Sequence, residues 1–281
     1  MFIISMVARV FEPGCQCDYM PILEGPQGEE KSKALRILAG KWFSDNLPSN
    51  ISSKDAKQHL AGKWLVEIPD FHIFRNSEIR ALKAFQTMRE NIFRPPYGKK
   101  EVYRKRQNVF AGTTNEQTYL EDPTGGRRYW PLITAEINVA KLVEIRDPLF
   151  AEAVARYRKG EHWWPDKAFE KKHMAPEQEA RRRIDVWEEP IKDHIEKRDL
   201  KQAAVFQIAR DALGKYTREM GTADQHRITD ILTSLGWTRG RRGTGGVRWW
   251  CKPEHAPDLD VPRPPPPEQE PPKPDFSNSS R

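Results

Sequence analysis

Residues 20–40, MPILEGPQGEEKSKALRILAG, carry the pattern that decides the fold. The apolar run at residues 20–23 predicts a buried strand, and a glycine-rich turn at residues 25–28 ends it. From residue 31 onward the apolar residues recur at helical spacing, so a helix follows the turn. A strand, a glycine-rich loop, a Lys-Ser pair and a helix follow one another in this order in phosphate-binding loops.

This loop supplies the candidate nucleotide-binding residues. Small residues let backbone N–H groups approach the phosphates, and the helix N-terminus adds partial positive charge. The lysine would reach the β- and γ-phosphates of ATP, and the serine hydroxyl would bind Mg²⁺. The predicted nucleotide-binding residues are Gly25, Gln27, Gly28, Lys31 and Ser32.

The loop departs from the usual pattern at one position. The pattern G-x-x-x-x-G-K-[ST] places glycine at residue 30, where this chain has Glu30, preceded by Glu29. Glycine adopts a positive φ freely and glutamate does not, and two carboxylates oppose a bound triphosphate. The alternative interpretation is an ordinary strand–turn–helix whose glutamates complement the helix dipole.

The apolar run at residues 64–68 predicts a second buried strand that carries an acid. In a parallel sheet, a carboxylate at the end of such a strand emerges beside the phosphate loop, where it can hold Mg²⁺ or polarise water. Glu67 is therefore a candidate catalytic residue and, with Ser32, a candidate metal ligand. Asp70, three residues further on, is a second candidate catalytic acid.

Two later segments supply further candidate catalytic residues. The strand predicted at residues 108–115 ends in Asn115, whose amide can orient an attacking water; the alternative is a turn-forming asparagine. Arg127 and Arg128 follow a Gly-Gly turn, so either can reach a nucleotide bound by a neighbouring subunit. The alternative for the arginines is structural pairing with an acid such as Asp122.

A basic segment follows the amphipathic helix predicted at residues 77–90. Two prolines exclude a helix within residues 94–98, so a rigid turn is expected there. Basic and aromatic side chains are interleaved, which suits a surface that tracks a phosphate backbone and stacks on bases, although a solvated basic loop is the alternative. The candidate DNA-binding residues here are Arg94, Lys99, Lys100, Arg104, Lys105 and Arg106.

The C-terminal third predicts a second, small unit and a tail. A charged helical stretch at residues 175–195 leads to two amphipathic helices within residues 203–235 and then to a hairpin with a basic tip, the order of a winged helix. Arg241 and Arg242 of this hairpin are candidate DNA-binding residues, although such units also bind proteins. Residues 253–281 are rich in proline with few large apolar side chains, so a disordered tail is expected.

Composition limits the class of protein. The chain has 281 residues, enough for one large and one small core, and its formal net charge of +7 favours a polyanionic partner. Its three cysteines exclude a disulfide framework and favour reduced thiols. The apolar N-terminus is interrupted by Arg9 and lacks a basic leader, so we expect a buried helix and a cytoplasmic protein with no membrane partner.

Taken together, these segments resemble the virulence-associated protein E family, whose members are P-loop ATPases encoded by phages and genomic islands and related to superfamily-three helicases. The resemblance covers about residues 7–195 and rests on five motifs whose order and spacing match together. The motifs are LEGPQG with KS at residues 23–32, WLVE at 64–67, RPPYG at 94–98, GTTNE at 112–116 and DPTGGRRYWP at 122–131.

The resemblance implies a fold and a site. The fold is α/β, with an AAA+-like P-loop NTPase core over residues 1–195, a winged-helix-like domain over residues 196–252 and a disordered tail over residues 253–281. The site would hydrolyse ATP with Mg²⁺ at a subunit interface of a homo-oligomer, with a ring as one form. The implied roles are phosphate and Mg²⁺ binding for Lys31 and Ser32, metal and water binding for Glu67 (with Asp70), a sensor role for Asn115 and an arginine finger for Arg127 or Arg128.

The expected function is that of an ATP-dependent DNA helicase or translocase acting in the replication of a phage or mobile element. The alternative is a DNA-binding or regulatory protein in which Glu30 has silenced the phosphate loop. A protein-interaction adaptor built around the proline-rich tail rests on composition alone and ranks last.

Overall fold

Strands and helices alternate along most of the chain. The computed structural model describes residues 1–48, 50–73, 76–95, 98–120, 126–242, 247–252 and 254. The strands are β1 (Met20–Glu24), β2 (Phe43–Ser44), β3 (Leu65–Ile68), β4 (Glu90–Phe93), β5 (Val102–Lys105), β6 (Val109–Thr114), β7 (Tyr129–Ile133), β8 (Gln202–Ala204), β9 (Thr238–Arg242) and β10 (Arg248–Cys251). The helices are α1 (Phe2–Phe11), α2 (Lys31–Ala39), α3 (Lys54–His59), α4 (Asn76–Thr87), α5 (Val139–Arg158), α6 (Lys167–Phe169), α7 (Ala175–Ala180), α8 (Glu188–Lys197), α9 (Val205–Leu213) and α10 (Thr222–Ser234). Across the described ranges, every helix is too short or too polar to cross a lipid bilayer.

The chain divides into two compact units, Met1–Glu188 and Glu189–Arg281. The predicted domain boundary after residue 195 falls inside α8. Several predictions concern residues that lie outside the described ones: the tail beyond residue 254, part of the proline turn at 96–97, the turn at 121–125 and the hairpin tip at 243–246. These remain predictions.

Five parallel strands form the central sheet of the first unit. Their order is β2-β3-β6-β1-β7, so β1 lies between β6 and β7. Successive side chains point to opposite faces, and Leu65 and Ala111 pack in one core cluster while Val66 and Phe110 pack in another. All residues of β3 and β6 are buried, which explains their largely apolar sequences. The predicted α/β class with a parallel core is confirmed.

Helices cover both faces of this sheet. Met6 of α1 and Leu35 of α2 belong to the core cluster on one face, with parts of α5 packed against it. Leu82 and Phe85 of α4 and Ala56 of α3 belong to the cluster on the other face. The central strands are covered on both faces, whereas the end of the edge strand β7 is exposed, and the carboxyl ends of β1, β3 and β6 share one end of the sheet.

The basic segment after α4 contains the second strand of a β-hairpin, in which β4 pairs antiparallel with β5. Arg106, directly after β5, is only 1% exposed. Its Nε donates to Asn91 Oδ1 at 2.8 Å, and its guanidinium carbon lies 4.3 Å from the centre of the Phe85 ring. Burial, reinforced by the nearby Arg9, lowers the pKa of Arg106 to about 9. Arg106 therefore does not lie on an open basic surface, as its DNA-binding prediction expected, because this arginine packs into the protein interior.

The charged stretch at residues 175–195 is not a continuous helix. α7 ends at Ala180, α8 begins at Glu188, and between them Arg182 forms a parallel bridge with Leu120. Arg182 also pairs with Glu188 at 2.6 Å, and Arg181 is buried. Arg181 and Arg182 also pair with Glu177 and Glu179 of α7, but their contacts with Glu24, Leu120 and Glu188 are tertiary, and the helix is interrupted where these contacts form.

The second unit contains α9, α10 and a three-stranded antiparallel sheet of order β8-β10-β9. The two predicted helices and the returning hairpin strand are present within about two residues of their expected ends, whereas β9 continues to Arg242, into the segment predicted as the hairpin tip at residues 239–246. β8 was not predicted, because three residues carry too little periodicity to indicate a strand. The winged-helix assignment stays a prediction.

Candidate nucleotide-binding site

The loop between β1 and α2 contains two residues with left-handed backbone. Gly28 has φ +93°, and Glu30, the N-cap of α2, has φ +57°. Gly25 is required for a different reason, because a Cβ there would lie 2.5 Å from Thr134 Oγ1. A side chain would therefore clash at Gly25 and would strain the backbone at Gly28, so both predicted glycines are required by the loop conformation.

Glu30 adopts the conformation that the sequence pattern assigns to glycine. A left-handed backbone at a non-glycine residue costs roughly 1–2 kcal/mol. The Glu30 carboxylate pairs with Lys33 Nζ at 2.8 Å, and both side chains are largely exposed. The curvature of the loop is therefore retained with glutamate at this position, at the expense of backbone strain.

The ammonium group of Lys31 is folded onto its own loop. Lys31 Nζ donates to the carbonyl oxygens of Gly25 at 2.7 Å and Pro26 at 2.6 Å. Burial lowers the pKa of Lys31, while Glu29 and two further acids oppose that shift. The lysine thus lies across the concave side of the loop and would exchange the two carbonyls for a stronger anionic acceptor.

A buried carboxylate connects α2 with two strands. Glu67 of β3 is fully buried, and its Oε1 accepts hydrogen bonds from Ser32 Oγ at 2.6 Å and Thr113 Oγ1 at 2.7 Å. Within the described part of the chain, no group donates to Glu67 Oε2. The predicted pair Ser32 and Glu67 is therefore in direct contact, and Thr113 joins it. Sequence analysis missed Thr113, whose only signal was its place two residues before Asn115.

A cavity of about 450 Å³ lies at the carboxyl ends of these strands. It brings together six predicted site residues that are separated by up to 88 positions in the sequence. Glu67 lies behind its wall, through Ser32 and Thr113. Asp70, which has φ +47°, and Asn115 are both exposed there. The predicted residues that line the cavity are Gln27, Gly28, Lys31, Ser32, Asp70 and Asn115.

The donor set around Glu67 suits Mg²⁺. Among the described residues, no cluster of three or more His, Cys, Asp or Glu side chains could enclose a metal ion. Mg²⁺ does not need such a cluster, because it keeps several waters and uses one or two protein ligands together with substrate phosphates. Ser32, which lines the cavity, and Glu67, whose unpartnered Oε2 is covered just behind it, are the candidate ligands of this kind.

The two candidate finger arginines lie at the other end of the sheet. They form a 3₁₀ turn directly before β7, whose first residue, Tyr129, is paired with Met20 at the start of β1. Arg127 is exposed and Arg128 is half-buried. The full length of β1, at about 3.3 Å per residue, separates them from the loop that follows Glu24, and neither lines the cavity.

A buried ion pair supports the base of the loop. Its residues were not among the predicted site residues. Glu24 is the last residue of β1, and its carboxylate accepts hydrogen bonds from Arg181 Nε at 2.9 Å and from the Tyr119 hydroxyl. Burial and the contact with Glu24 raise the pKa of Tyr119. Arg181 and Gly25 also line an adjoining cavity of about 710 Å³. Arg181 stands in an Arg-Arg-Arg run that indicated only a helix surface.

The remaining candidate DNA-binding residues are dispersed on the surface. Lys99, Lys100, Arg104 and Lys105 are exposed on the β4–β5 hairpin and its connection. Arg94 is exposed there too, and its Nε donates to the Gly98 carbonyl oxygen at 2.5 Å. In the second unit, Arg242 is exposed on β9, whereas the side chain of Arg241 lies outside the described residues. Their exposure allows contact with a polyanion.

Comparison with known proteins gives one family match. A family model described as virulence-associated protein E-like domain matches residues 1–183. Among solved structures, the chain is similar to the apo structure of the NrS-1 C-terminal region (305–718), with 15% identity and a TM-score of 0.48 over 88% of this chain and 70% of that one. The A form of the apo NrS-1 C-terminal region gives 14% identity and a TM-score of 0.48 over 89% and 70%. No curated protein matches the chain.

Replacing Arg181 should strongly destabilise the first unit. The substitution Arg181→Met leaves the buried Glu24 carboxylate without its cation, which costs about 3–5 kcal/mol. Lys141→Met removes an exposed ion pair with Glu144 and should cost less than about 1 kcal/mol. Urea unfolding of both variants measures the difference.

The double variant Glu24→Gln/Arg181→Met removes both charges and should recover part of the lost stability. Equal midpoints for Arg181→Met and Lys141→Met would contradict a supporting role for this buried pair.

Proposed function

The chain belongs to the virulence-associated protein E-like family, and we propose from this membership and the site geometry that it is an ATP-dependent DNA helicase or translocase that acts in the replication of a phage or mobile element. One observation carries the proposal. Lys31, Ser32, Asp70 and Asn115 line a single cavity. Glu67 lies directly behind its wall and accepts a hydrogen bond from Ser32. This is the set of groups that nucleotide hydrolysis requires, namely a phosphate cradle, a metal-binding carboxylate and polar groups to orient water.

The loop would bind the phosphates of ATP. Backbone N–H groups at the start of α2 and the Lys31 ammonium would replace the present lysine–carbonyl contacts with contacts to phosphate oxygens. Glu67 Oε2 and Ser32 Oγ would hold Mg²⁺, which neutralises phosphate charge when bound. The adjoining cavity lined by Gly25 and Gln27 would give room for the rest of the nucleotide.

Asp70 and Asn115 would act on the attacking water. Both are exposed to the cavity from the carboxyl side of adjacent strands, β3 and β6. A carboxylate can accept a proton from water, and an amide can orient it without changing charge. Glu67 makes two hydroxyl hydrogen bonds already, so Asp70 is the better candidate for proton acceptance.

Arg127 and Arg128 would serve a neighbouring subunit. Their position at the opposite end of the sheet prevents contact with the loop of the same chain, so a role as finger requires a homo-oligomer, for which a ring is one arrangement. The exposed cations of the β4–β5 hairpin would contact DNA, together with two arginines of a winged-helix-like second unit. The hairpin cations are Arg94, Lys99, Lys100, Arg104 and Lys105, and the arginines of the second unit are Arg242, which is exposed, and Arg241, whose side chain lies outside the described residues.

Lys31→Ala should abolish ATP turnover. Loss of the ammonium removes charge stabilisation of the transferred phosphoryl group and should reduce the rate about 10²-fold or more. Lys159→Ala changes an exposed lysine that does not line the cavity and should leave turnover nearly unchanged. Steady-state hydrolysis with Mg²⁺, with and without single-stranded DNA, measures both.

Chelation of Mg²⁺ should remove turnover in the native chain and in Lys159→Ala alike. Turnover that persists in Lys31→Ala would show that this loop is not the hydrolytic site.

The strained Glu30 favours a second candidate function, a DNA-binding or regulatory protein with a silenced loop. Under this alternative, Glu30→Gly creates turnover that the native chain lacks, because it removes both the strain and a negative charge. Glu30→Gln keeps the strain and removes only the charge, so the pair separates the two effects. Under the ATPase proposal, Glu30→Gly should change the ATP affinity of an active native chain only about threefold to tenfold.

The arginine finger can be tested by mixing two inactive variants. A Lys31→Ala subunit cannot bind phosphate properly in its own site but still has its arginines. An Arg127→Ala/Arg128→Ala subunit has an intact phosphate loop but cannot supply an arginine to the site of the adjacent subunit. If the arginines act between subunits, mixed oligomers contain some intact interfaces and should recover part of the turnover. A mixture that assembles together but stays inactive would contradict the proposed role.

A further inference from the structure

A second cavity of about 450 Å³ lies at the amino ends of β3 and β6, opposite the phosphate loop. Trp64, directly before β3, and Asn108, directly before β6, line it together with residues of α1 and β5. None of the predicted nucleotide or catalytic residues belongs to it. It is a separate site within the first unit.

The outer wall of this cavity is apolar and unusually exposed. Val10 and Phe11 of α1 and Trp42 are 45%, 52% and 46% exposed. The Trp42 and Trp64 rings meet edge-on, with centres 6.3 Å apart, and the Lys41 ammonium lies 4.9 Å from the centre of the Trp42 ring, a contact that a stacked ligand would have to replace on the face it covers. Flat, exposed aromatic surface of this kind is suited to stacking against a planar ligand.

The same cavity is surrounded by positive charge. Lys57, Lys63, Arg104 and Lys105 line it together with the buried Arg106, and none of its lining residues is aspartate or glutamate. Within the described part of the chain, none of these five cations forms an ion pair. An apolar surface bordered only by cations favours a ligand with an apolar body and more than one negative charge.

One residue at the wall of the cavity has an unused hydrogen-bond donor. Asn108 is 2% exposed, and its Nδ2 has no partner among the described residues. Leaving a buried donor unpaired costs about 1–3 kcal/mol, so such a group calls for an explanation. Because Nδ2 is covered, the amide has to turn toward the cavity before an acceptor atom of a ligand can satisfy it.

We propose that this cavity binds an unpaired base of single-stranded DNA, with the neighbouring phosphates on Lys57, Lys63, Arg104 and Lys105. The base would stack on Trp42 and present an oxygen or nitrogen acceptor to Asn108. An acidic peptide would also meet the cations, but its apolar side chain would leave the Asn108 amide unpaired. The inference deepens the DNA-binding part of the proposed function and is independent of ATP hydrolysis.

The test is binding of fluorescein-labelled oligothymidine by the full-length chain, measured by anisotropy without nucleotide. Trp42→Ala should weaken binding about 5-fold to 100-fold, the range found when a stacked base loses its aromatic partner. Trp42→Phe should restore most of the affinity. Trp164→Ala is the matched control, since Trp164 is 40% exposed but does not line the cavity.

A charge variant gives an independent measurement at the same site. A plot of log affinity against log salt concentration has a negative slope, and Lys63→Gln should make this slope less negative by about 0.7. That is the value for one phosphate contact on a single strand. Lys159→Gln, an exposed lysine outside the cavity, should leave the slope unchanged.

Three outcomes would overturn the inference. The first is native affinity for oligothymidine in Trp42→Ala. The second is an equal loss of affinity for blunt duplex DNA, whose paired bases cannot enter the cavity. The third is that Trp42→Ala weakens binding of an aspartate-rich peptide ending in phenylalanine but does not weaken binding of oligothymidine. If the native chain binds no oligothymidine, this inference fails, whereas hydrolysis measured without DNA still tests the ATPase proposal separately.

Discussion

Five strands that run in the same direction bring all their carboxyl ends to one edge of the sheet, and the candidate site depends on this constraint. β1 lies between β6 and β7, and β3 follows on the far side of β6. The loop after β1, the acid of β3 and the polar end of β6 therefore meet, although long stretches of chain separate them. The same constraint puts the turn before β7 at the opposite edge, away from the loop.

Direct contacts at this edge fix the relative positions of the loop helix and the strands. Glu67 accepts one hydrogen bond from Ser32 of α2 and another from Thr113 of β6, so a single carboxylate ties three elements together. Such a carboxylate is expensive to bury unless its oxygens are satisfied. One oxygen accepts hydrogen bonds from two hydroxyl groups, and the other has no partner among the described residues, so the burial of this carboxylate is only partly compensated.

The base of the loop is held by residues remote in sequence. Arg181 lies 157 positions after Glu24, yet it makes the buried ion pair at the point where β1 becomes the loop. Together with the left-handed Glu30, this contact shows that the loop conformation is imposed by its surroundings. Local preference alone would not favour glutamate there, since the left-handed region is nearly reserved for glycine.

The amino-acid sequence by itself determined the parallel α/β class, the strand–loop–helix at residues 20–40 and the family. These features are encoded in short windows, through apolar periodicity, glycine placement and the spacing of acids after strands. Only the tertiary structure decided that Arg106 is buried, that Arg181 supports the loop and that β4 and β5 form a hairpin. The physical reason is that an arginine has the same local signature on a surface as in a core. Which of the two it occupies depends on partners such as Asn91 and Glu24, whose approach is set by the packing of distant elements.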